Sequence, residues 1–503
     1  MSGIVADHNN YVLRLARSGS PERAWALMEQ HGLLNSDSDI KALTLQARLV
    51  KDRAKRAKSA ESKRLFTEAA DLYSKAGRIG KSSYPIINAA TMSLLAGDTV
   101  RSEALAREVL SLIAADPNEG ETPYWRDATQ AEALLLLGKE AEASDALRQA
   151  FAKQPEAWED HAATLRQFGL ILSHQGRDMD WLDSYRPPIS VHFSGLSGLS
   201  FEKSGIDEPI RHFITTENPG FAYGALAAGA DLIFAQAFLE HRDAISPCAE
   251  LHAILPLPID QFRETSVRAF GENWVPMFDF VLGQAATVTV LGLDSPPLLL
   301  AVENSDRVAM GRAVRNAQVL ESRAVGVTVA AHGEPLRQQL TCWRNSGRPL
   351  TIIETQRETA VTGSVISGVS GQRLTALIWV NCGNKMDLLS NLGGQYSMQA
   401  YGSGHWLACN DVSESFRVGI QIALSDKGMR VSVLLAIFDP NAPSAKLLQR
   451  AEALAEASSH GVVSADDCSA MALVLENWSG SIDEMGELKT AWGSEDVWSV
   501  RGL

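Results

Sequence analysis

No stretch of about 20 apolar residues, the length a membrane-spanning helix needs, occurs in this 503-residue chain. The longest apolar run, Ala225–Leu239, is broken by Asp231 and Gln236. The first residues, MSGIVADHNNYVLRLARSG, hold no basic segment followed by an apolar one, so no signal peptide is expected. Cysteine is scarce: Cys248, Cys342, Cys382, Cys409 and Cys468 are odd in number and form no CxxC pair. Reduced thiols of a cytoplasmic protein fit this better than a disulfide framework. The eleven histidines include no HxH or HxxxH pair, so no metal site is indicated and no cofactor is expected. Neither a GxSxG nor a P-loop motif occurs. Positive charge is in deficit, 46 Lys and Arg against 60 Asp and Glu for a net charge of −14, which argues against a nucleic-acid binder.

What remains is an ordinary globular composition, 45% apolar and 21% charged, in a chain long enough for about three domains. Up to about residue 175, apolar residues recur at three and four spacing. The spacing predicts helices over Tyr11–Met28, Ile40–Leu49, Leu65–Ala76, Pro85–Leu95, Arg101–Ala114, Trp125–Leu137, Glu140–Phe151 and Ala157–Leu172. Stops are expected at Gly32, Gly77, Gly97, Gly138 and Gly176. The segments AATMSLLAGDTVRSEALAREVL and AEALLLLGKEAEASDALRQAFAKQP each read as helix, Gly turn, helix. Their pattern resembles a tetratricopeptide hairpin in an irregular α-solenoid, with a plain helical bundle as the other reading. Lys51, Arg53, Lys55, Arg56, Lys58, Lys63 and Arg64 form a basic run. It reads as the solvated face of a long helix or as a site for an anionic partner.

After Pro187-Pro188 the texture changes. Strands are expected at ISVHFSG, AELHAILPL, ATVTVLG, VGVTVAA and RPLTIIE. Helices are expected at Leu226–Leu239, Asp260–Arg268, Trp274–Leu282, Asp306–Arg323 and Pro335–Ser346. This alternation argues for a doubly wound parallel sheet over 188–355. Residues 356–372 read as a Gly/Ser-rich linker. The last block opens with the strand RLTALIWVN and a helix-like stretch, then the hairpin YSMQAYGSGHWLACND and the helix Ser413–Ala423. The strand MRVSVLLAIF, the helix Ala445–Ala457, GVVSAD and a closing hairpin complete an α+β sandwich. The expected fold is thus α, then α/β, then α+β, in domains 1–180, 188–355 and 373–503.

The ordered segments FSGLSGL, GALAAGADLIFAQAFL, AELHAILPLPIDQFRETSV and NWVPMFDFVLGQAATVTV resemble the SLOG superfamily. This Rossmann-like group includes lysine-decarboxylase-like nucleotide-processing proteins. The resemblance implies a nucleotide or nucleotide-derived ligand at the strand ends, near Ser194, Gly195, Gly224, Gly229 and Asp231. A Gly turn and a helix N-terminus let backbone N–H groups approach a phosphate. The longer Gly-rich loop and downstream Glu of the catalytic members are missing, which points to sensing rather than hydrolysis.

LTALIWVNCGNKMDLL, YGSGHWLA, LLQRAEALAEASSHGVVSAD and ELKTAWGSEDVWSV together resemble a class III nucleotide cyclase homology domain. Cyclisation by such domains needs two divalent metals held by two Asp. The first of those positions holds Val380, or Asn381 if the register slips by one, and the second holds Ser403. None of these supplies the anionic oxygen that Mg²⁺ prefers. The base-reading Lys is replaced by Gln399 and the ribose-orienting Asn by Lys446. Arg450 stands at the transition-state arginine position, Asp439 at a purine-reading position and Lys489 at a phosphate-side position.

The whole arrangement resembles bacterial multidomain tetratricopeptide or adenylate-cyclase-like proteins, and its helical part resembles the region that precedes some stress kinases. The expected function is a non-catalytic signalling or regulatory protein. It would sense a nucleotide-derived ligand and pair, as a homo-oligomer or as a heterodimer with a cyclase-type protein, through the degenerate last domain. One alternative is a nucleotide cyclase subunit active only with an intact partner. Another is a scaffold whose helical repeats bind proteins. Neither a membrane nor a nucleic acid is an expected partner.

Overall fold

The computed structural model describes residues 12, 21–116, 118–201, 205–292, 297–356, 371–381, 398–490 and 493–502. Contacts divide the chain into two units, Met1–Pro187 and Pro188–Leu503. The boundary falls at the Pro-Pro pair where the sequence changes texture.

The first unit is helical. It contains α1 (Pro21–Gln30), α2 (Ile40–Arg56), α3 (Ser59–Gly80), α4 (Ser83–Ala96), α5 (Thr99–Ala115), α6 (Pro123–Leu136), α7 (Glu140–Lys153) and α8 (Trp158–Gln175). From α1 to α7 each helix packs against the next, α4 also touches α6, and α8 packs on α4 and α6. Alanine at the crossings permits this: Ala69, Ala70, Ala89, Ala90, Ala106, Ala131 and Ala143 are fully buried. Local chemistry sets the ends. Asp39, Asp98 and Thr122 cap α2, α5 and α6 by accepting backbone N–H groups, a contribution of about 1 kcal/mol each. Gly97 and Gly176 end α4 and α8 in the left-handed conformation, at φ 93° and 65°. Gly77 does not end a helix as expected. It lies inside α3, where a Cβ would collide with Ile86 of α4, so its small size serves a helix crossing and the chain turns instead at Lys81.

The second unit contains two sheets. The first has β1 (Ser190–Ser194), β2 (Phe221–Gly224), β3 (Glu250–Leu255), β4 (Thr287–Val290), β5 (Ala324–Ala331) and β6 (Leu350–Thr355), in the order β4-β3-β2-β1-β5-β6. Every pairing is parallel. Its helices are α9 (Asp207–Glu217), α10 (Ala230–Ala244), α11 (Trp274–Gln284), α12 (Leu298–Val319) and α13 (Gln338–Asn345). β2 and α9 were not expected from the sequence. The helix expected from Leu226 begins at Ala230, and the one expected from Asp306 begins at Leu298.

The second sheet has β7 (Arg373–Asn381), β8 (Gln399–Tyr401), β9 (Gly404–Cys409), β10 (Arg430–Phe438), β11 (Val463–Asp466), β12 (Ile482–Thr490) and β13 (Gly493–Val500), in the order β12-β13-β11-β10-β7-β9-β8. It is mixed: β10 and β11 are parallel and the other pairs antiparallel. α14 (Val412–Ser425), α15 (Ala445–Ala455) and α16 (Asp467–Leu475) cover it. α16 was not expected, although Asp466 carries a legible signal by capping it through Ser469 N at 3.0 Å. The expected linker lies, over 357–370, outside the described residues, as does the helix-like stretch over 382–397.

The two sheets are joined through their helices. α12 packs on β1, β2 and β3 and also against α16. At that crossing a Cβ on Gly311 would run into the backbone of Met471. Arg312 adds a charged tie, bonding Asp467 at 2.6 Å and Thr289 at 2.8 Å.

Candidate functional site

A strand buried on both faces of a parallel sheet is ordinarily apolar throughout. β1, Ser-Val-His-Phe-Ser, is fully buried and breaks that rule. Val191 and Phe193 join the hydrophobic core, where Phe193 stacks on Phe234 of α10 at 4.7 Å. The alternate residues Ser190, His192 and Ser194 point the other way, toward α12 and α13. Asn316 donates to Ser190 at 3.0 Å, and Trp343 lies 6.2 Å from the His192 ring. This polar stripe runs to the carboxyl end of β1.

That end is the topological switch point. From β1 the sheet extends one way through β2, β3 and β4 and the other way through β5 and β6, and ligands of open α/β sheets bind where the order reverses. Ser194 donates at 3.4 Å to Thr328, its register partner on the adjacent strand β5. Asp306 of α12 and Arg337, just before α13, form an ion pair at 2.5 Å. Asp231, in the first turn of α10, feels both of them.

The electrostatics are unusual for a resting core. Burial pushes the Asp231 carboxyl up to about 8; Arg337 opposes this and Asp306 adds to it. One Asp231 oxygen accepts from Ala227 N at 3.4 Å, and the buried Oδ1 has no well-formed hydrogen bond, only a weak pull from the Gly195 backbone. Burial, then Arg337, depresses His192 to about 3, while the Tyr223 backbone favours its charged form. Beyond that backbone contact, neither ring nitrogen makes a well-formed hydrogen bond. Burial raises Asp306 as well, against the pull of Arg337. Unsatisfied buried polar atoms typically cost about 1–3 kcal/mol each, so their gathering at one strand end calls for an explanation.

The expected glycines play another part. A Cβ on Gly195 would sit 2.5 Å from the Ala230 Cβ and 3.0 Å from Val329. Gly224 is the last residue of β2, not a helix entry, and its Cβ position is filled by Phe193 O at 2.5 Å. Gly229 does precede α10, at φ 109°, but Leu196 O lies 2.5 Å from its Cβ position and accepts from Ala230 N at 3.0 Å. Protein atoms therefore occupy the space beside all three. The polar side chains gathered at this end are Asp231, Ser194 and Thr328, with Arg337 at the rim. Thr328, Asp306, Arg337 and His192 were not expected there, because they come from four separate elements. The polar alternation within buried β1 was the one local signal.

The mixed sheet contrasts with this. Val380 is fully buried and pairs with His405. Ser403 donates to Glu452 at 2.7 Å. Arg450 bonds Glu495 at 2.8 Å and Asp466 at 2.8 Å. Burial alone would lower its pKa, and the two carboxylates more than reverse that. Asp439 accepts from Asn441 N at 2.9 Å in a local turn. Lys489 is exposed on β12, and Lys446 is exposed in the first turn of α15.

Among the described residues, no helix is long and apolar enough to cross a membrane. No curated protein matches the chain. A family model described as Tetratricopeptide Repeats-Sensor matches residues 7–93, a span that reaches into α4. The helical hairpins of the first unit and this match agree: the N-terminal region is similar to a tetratricopeptide sensor region.

Proposed function

We propose that this chain is a regulatory protein whose SLOG-like domain, 188–355, senses a nucleotide-derived ligand at the carboxyl ends of β1 and β5. The observation that carries the reading is the buried Asp231 carboxyl, held only weakly by the Ala227 and Gly195 backbone, at the switch point with Ser194, Thr328 and the Arg337–Asp306 pair. A carboxyl group there serves ligand hydroxyls. Arg337, whose side chain is 39% exposed, offers a fork of donors to phosphate at the rim. Gly195, Gly224 and Gly229 shape the turns that hold Asp231. The test is titration of the full-length chain with nucleotides and their derivatives, read by melting temperature and calorimetry. At least one ligand raises the melting temperature, and Arg337→Gln weakens that ligand at least tenfold, or about 1.4 kcal/mol. A wild type that no such ligand stabilises, or an Arg337→Gln chain that binds equally well, refutes the reading.

In the same proposal the cyclase-like domain, 373–503, is a pairing module without catalysis. Its metal positions offer Val380 and Ser403, and the Arg450 guanidinium is already engaged by Asp466 and Glu495. The purified chain with ATP or GTP and Mg²⁺ or Mn²⁺ forms no cyclic nucleotide, and light scattering gives a mass above that of a monomer. Cyclic product in proportion to the protein overturns the first statement, and a monomeric mass overturns the second.

A further inference from the structure

α12 carries two arginine–aspartate ties that serve different sheets. At the switch point its Asp306 pairs with Arg337 at 2.5 Å. Less than two turns further on, its Arg312 donates to Asp467, the first residue of α16, at 2.6 Å and to Thr289 of β4 at 2.8 Å. Between the two ties stands Gly311, where a Cβ would run into the backbone of Met471. No side chain lies there to absorb a shift of α12 against α16, and close-packed contacts of this kind transmit strain.

α13 reaches the other end of α16. Arg337 precedes α13, and Arg348 follows it, over the Trp343 ring at 5.5 Å. Arg348 donates to Leu475 O, at the last residue of α16, at 2.9 Å, and it also bonds Asn477. Arginines from the helical layer of the parallel sheet thus hold α16 at both ends. Arg337 is the member of this set that can change partner. Its side chain is 39% exposed, whereas that of Asp306 is 8% exposed. An anion at the rim that draws the guanidinium away leaves a buried carboxyl without its counter-ion. Asp306 must then take up a proton or shift with α12.

We infer, on the reading of 188–355 as a ligand sensor, that α12 couples the switch point to the mixed sheet: release of Asp306 by Arg337 loosens the hold of Arg312 on α16. Occupancy of the strand-end crevice then regulates the pairing module through the α12–α16 crossing, with Arg337 and Arg312 as positioning residues at its two ends.

The test is amide hydrogen exchange of the full-length chain without any ligand. Arg337→Gln removes the guanidinium from Asp306, as a bound anion would. Exchange over 467–475 rises at least threefold more than exchange over 445–455, the α15 segment of the same sheet. With Arg312→Gln also present, Arg337→Gln raises exchange over 467–475 by no more than half that factor. Arg312→Lys, which keeps the charge but not the fork of donors, repeats the comparison if the Arg312→Gln chain does not fold. No rise over 467–475, an equal rise over 445–455, or a rise that persists beyond half with Arg312 replaced overturns the coupling. No nucleotide enters the experiment, so its failure leaves ligand sensing standing, and a chain that binds no nucleotide leaves the measured coupling standing.

Discussion

The two sheets of the second unit treat their ionisable groups in opposite ways. In the mixed sheet, Arg450 is closed off by two carboxylates, and the buried side chains of its strands that lack partners, Thr375, Trp379, Ser464 and Trp498, are all neutral. In the parallel sheet, the buried Asp231 carboxyl and His192 ring are held only weakly, by backbone groups. Satisfied polar clusters of the first kind hold a structure in one state, whereas incompletely satisfied ones store a cost that a ligand can remove. The comparison teaches that Arg450 serves as an internal tie, while Asp231 and His192 carry a cost of burial that their neighbours do not remove.

Substitutions can break or sharpen this contrast. The largest effect is expected at Gly195. Valine there meets Ala230 and Val329 and should destabilise the unit by about 3 kcal/mol or more, measured by urea unfolding, so that its loss of ligand reports packing and not contact. A Gly195→Val chain of normal stability would show that the turn has room to move.

Next comes Arg450→Ala. It strands Asp466 and Glu495, whose side chains are 4% and 14% exposed, and should cost about 3 kcal/mol with ligand affinity unchanged. The matching variant, Arg337→Gln, should cost about 1 kcal/mol, because Asp306 can take up a proton when its partner leaves. If the two variants cost the same, the contrast between the sheets fails.

A further effect is a slope, spread over several pH units. In the folded chain Asp231 holds its proton up to about 8, whereas an unfolded Asp loses it near about 3.9. Between those values the folded state binds the extra proton, so stability falls as pH rises from about 4 to about 8. Asp231→Asn should flatten that decline in unfolding curves recorded across the range. An unaltered slope would mean that another group carries it.

Much of the architecture was legible. The helical spacing, the Gly turns at 97, 138 and 176, and the strand–helix alternation after Pro188 depend on local periodicity and capping, which the sequence states directly. Gly77 misled because a small residue at a crossing looks like one at a helix end. β2, only four residues long, had no alternation to reveal it. The expected ligand residues divide on the same principle. Asp231 stands in the first turn of α10, but the space beside the glycines read as a phosphate cradle is filled by neighbours that no local pattern announces.

By itself, then, the sequence determined the order and type of most elements and the lack of carboxylates at Val380 and Ser403. Only the tertiary structure decided which ionisable groups are tied off and which are buried with weak partners. Arg450 and Glu495 lie 45 residues apart, and Ser194 and Thr328 lie 134 apart. Whether a buried group finds its partner depends on what the fold brings across such distances, and the cost of leaving it unpaired arises only once water has been removed.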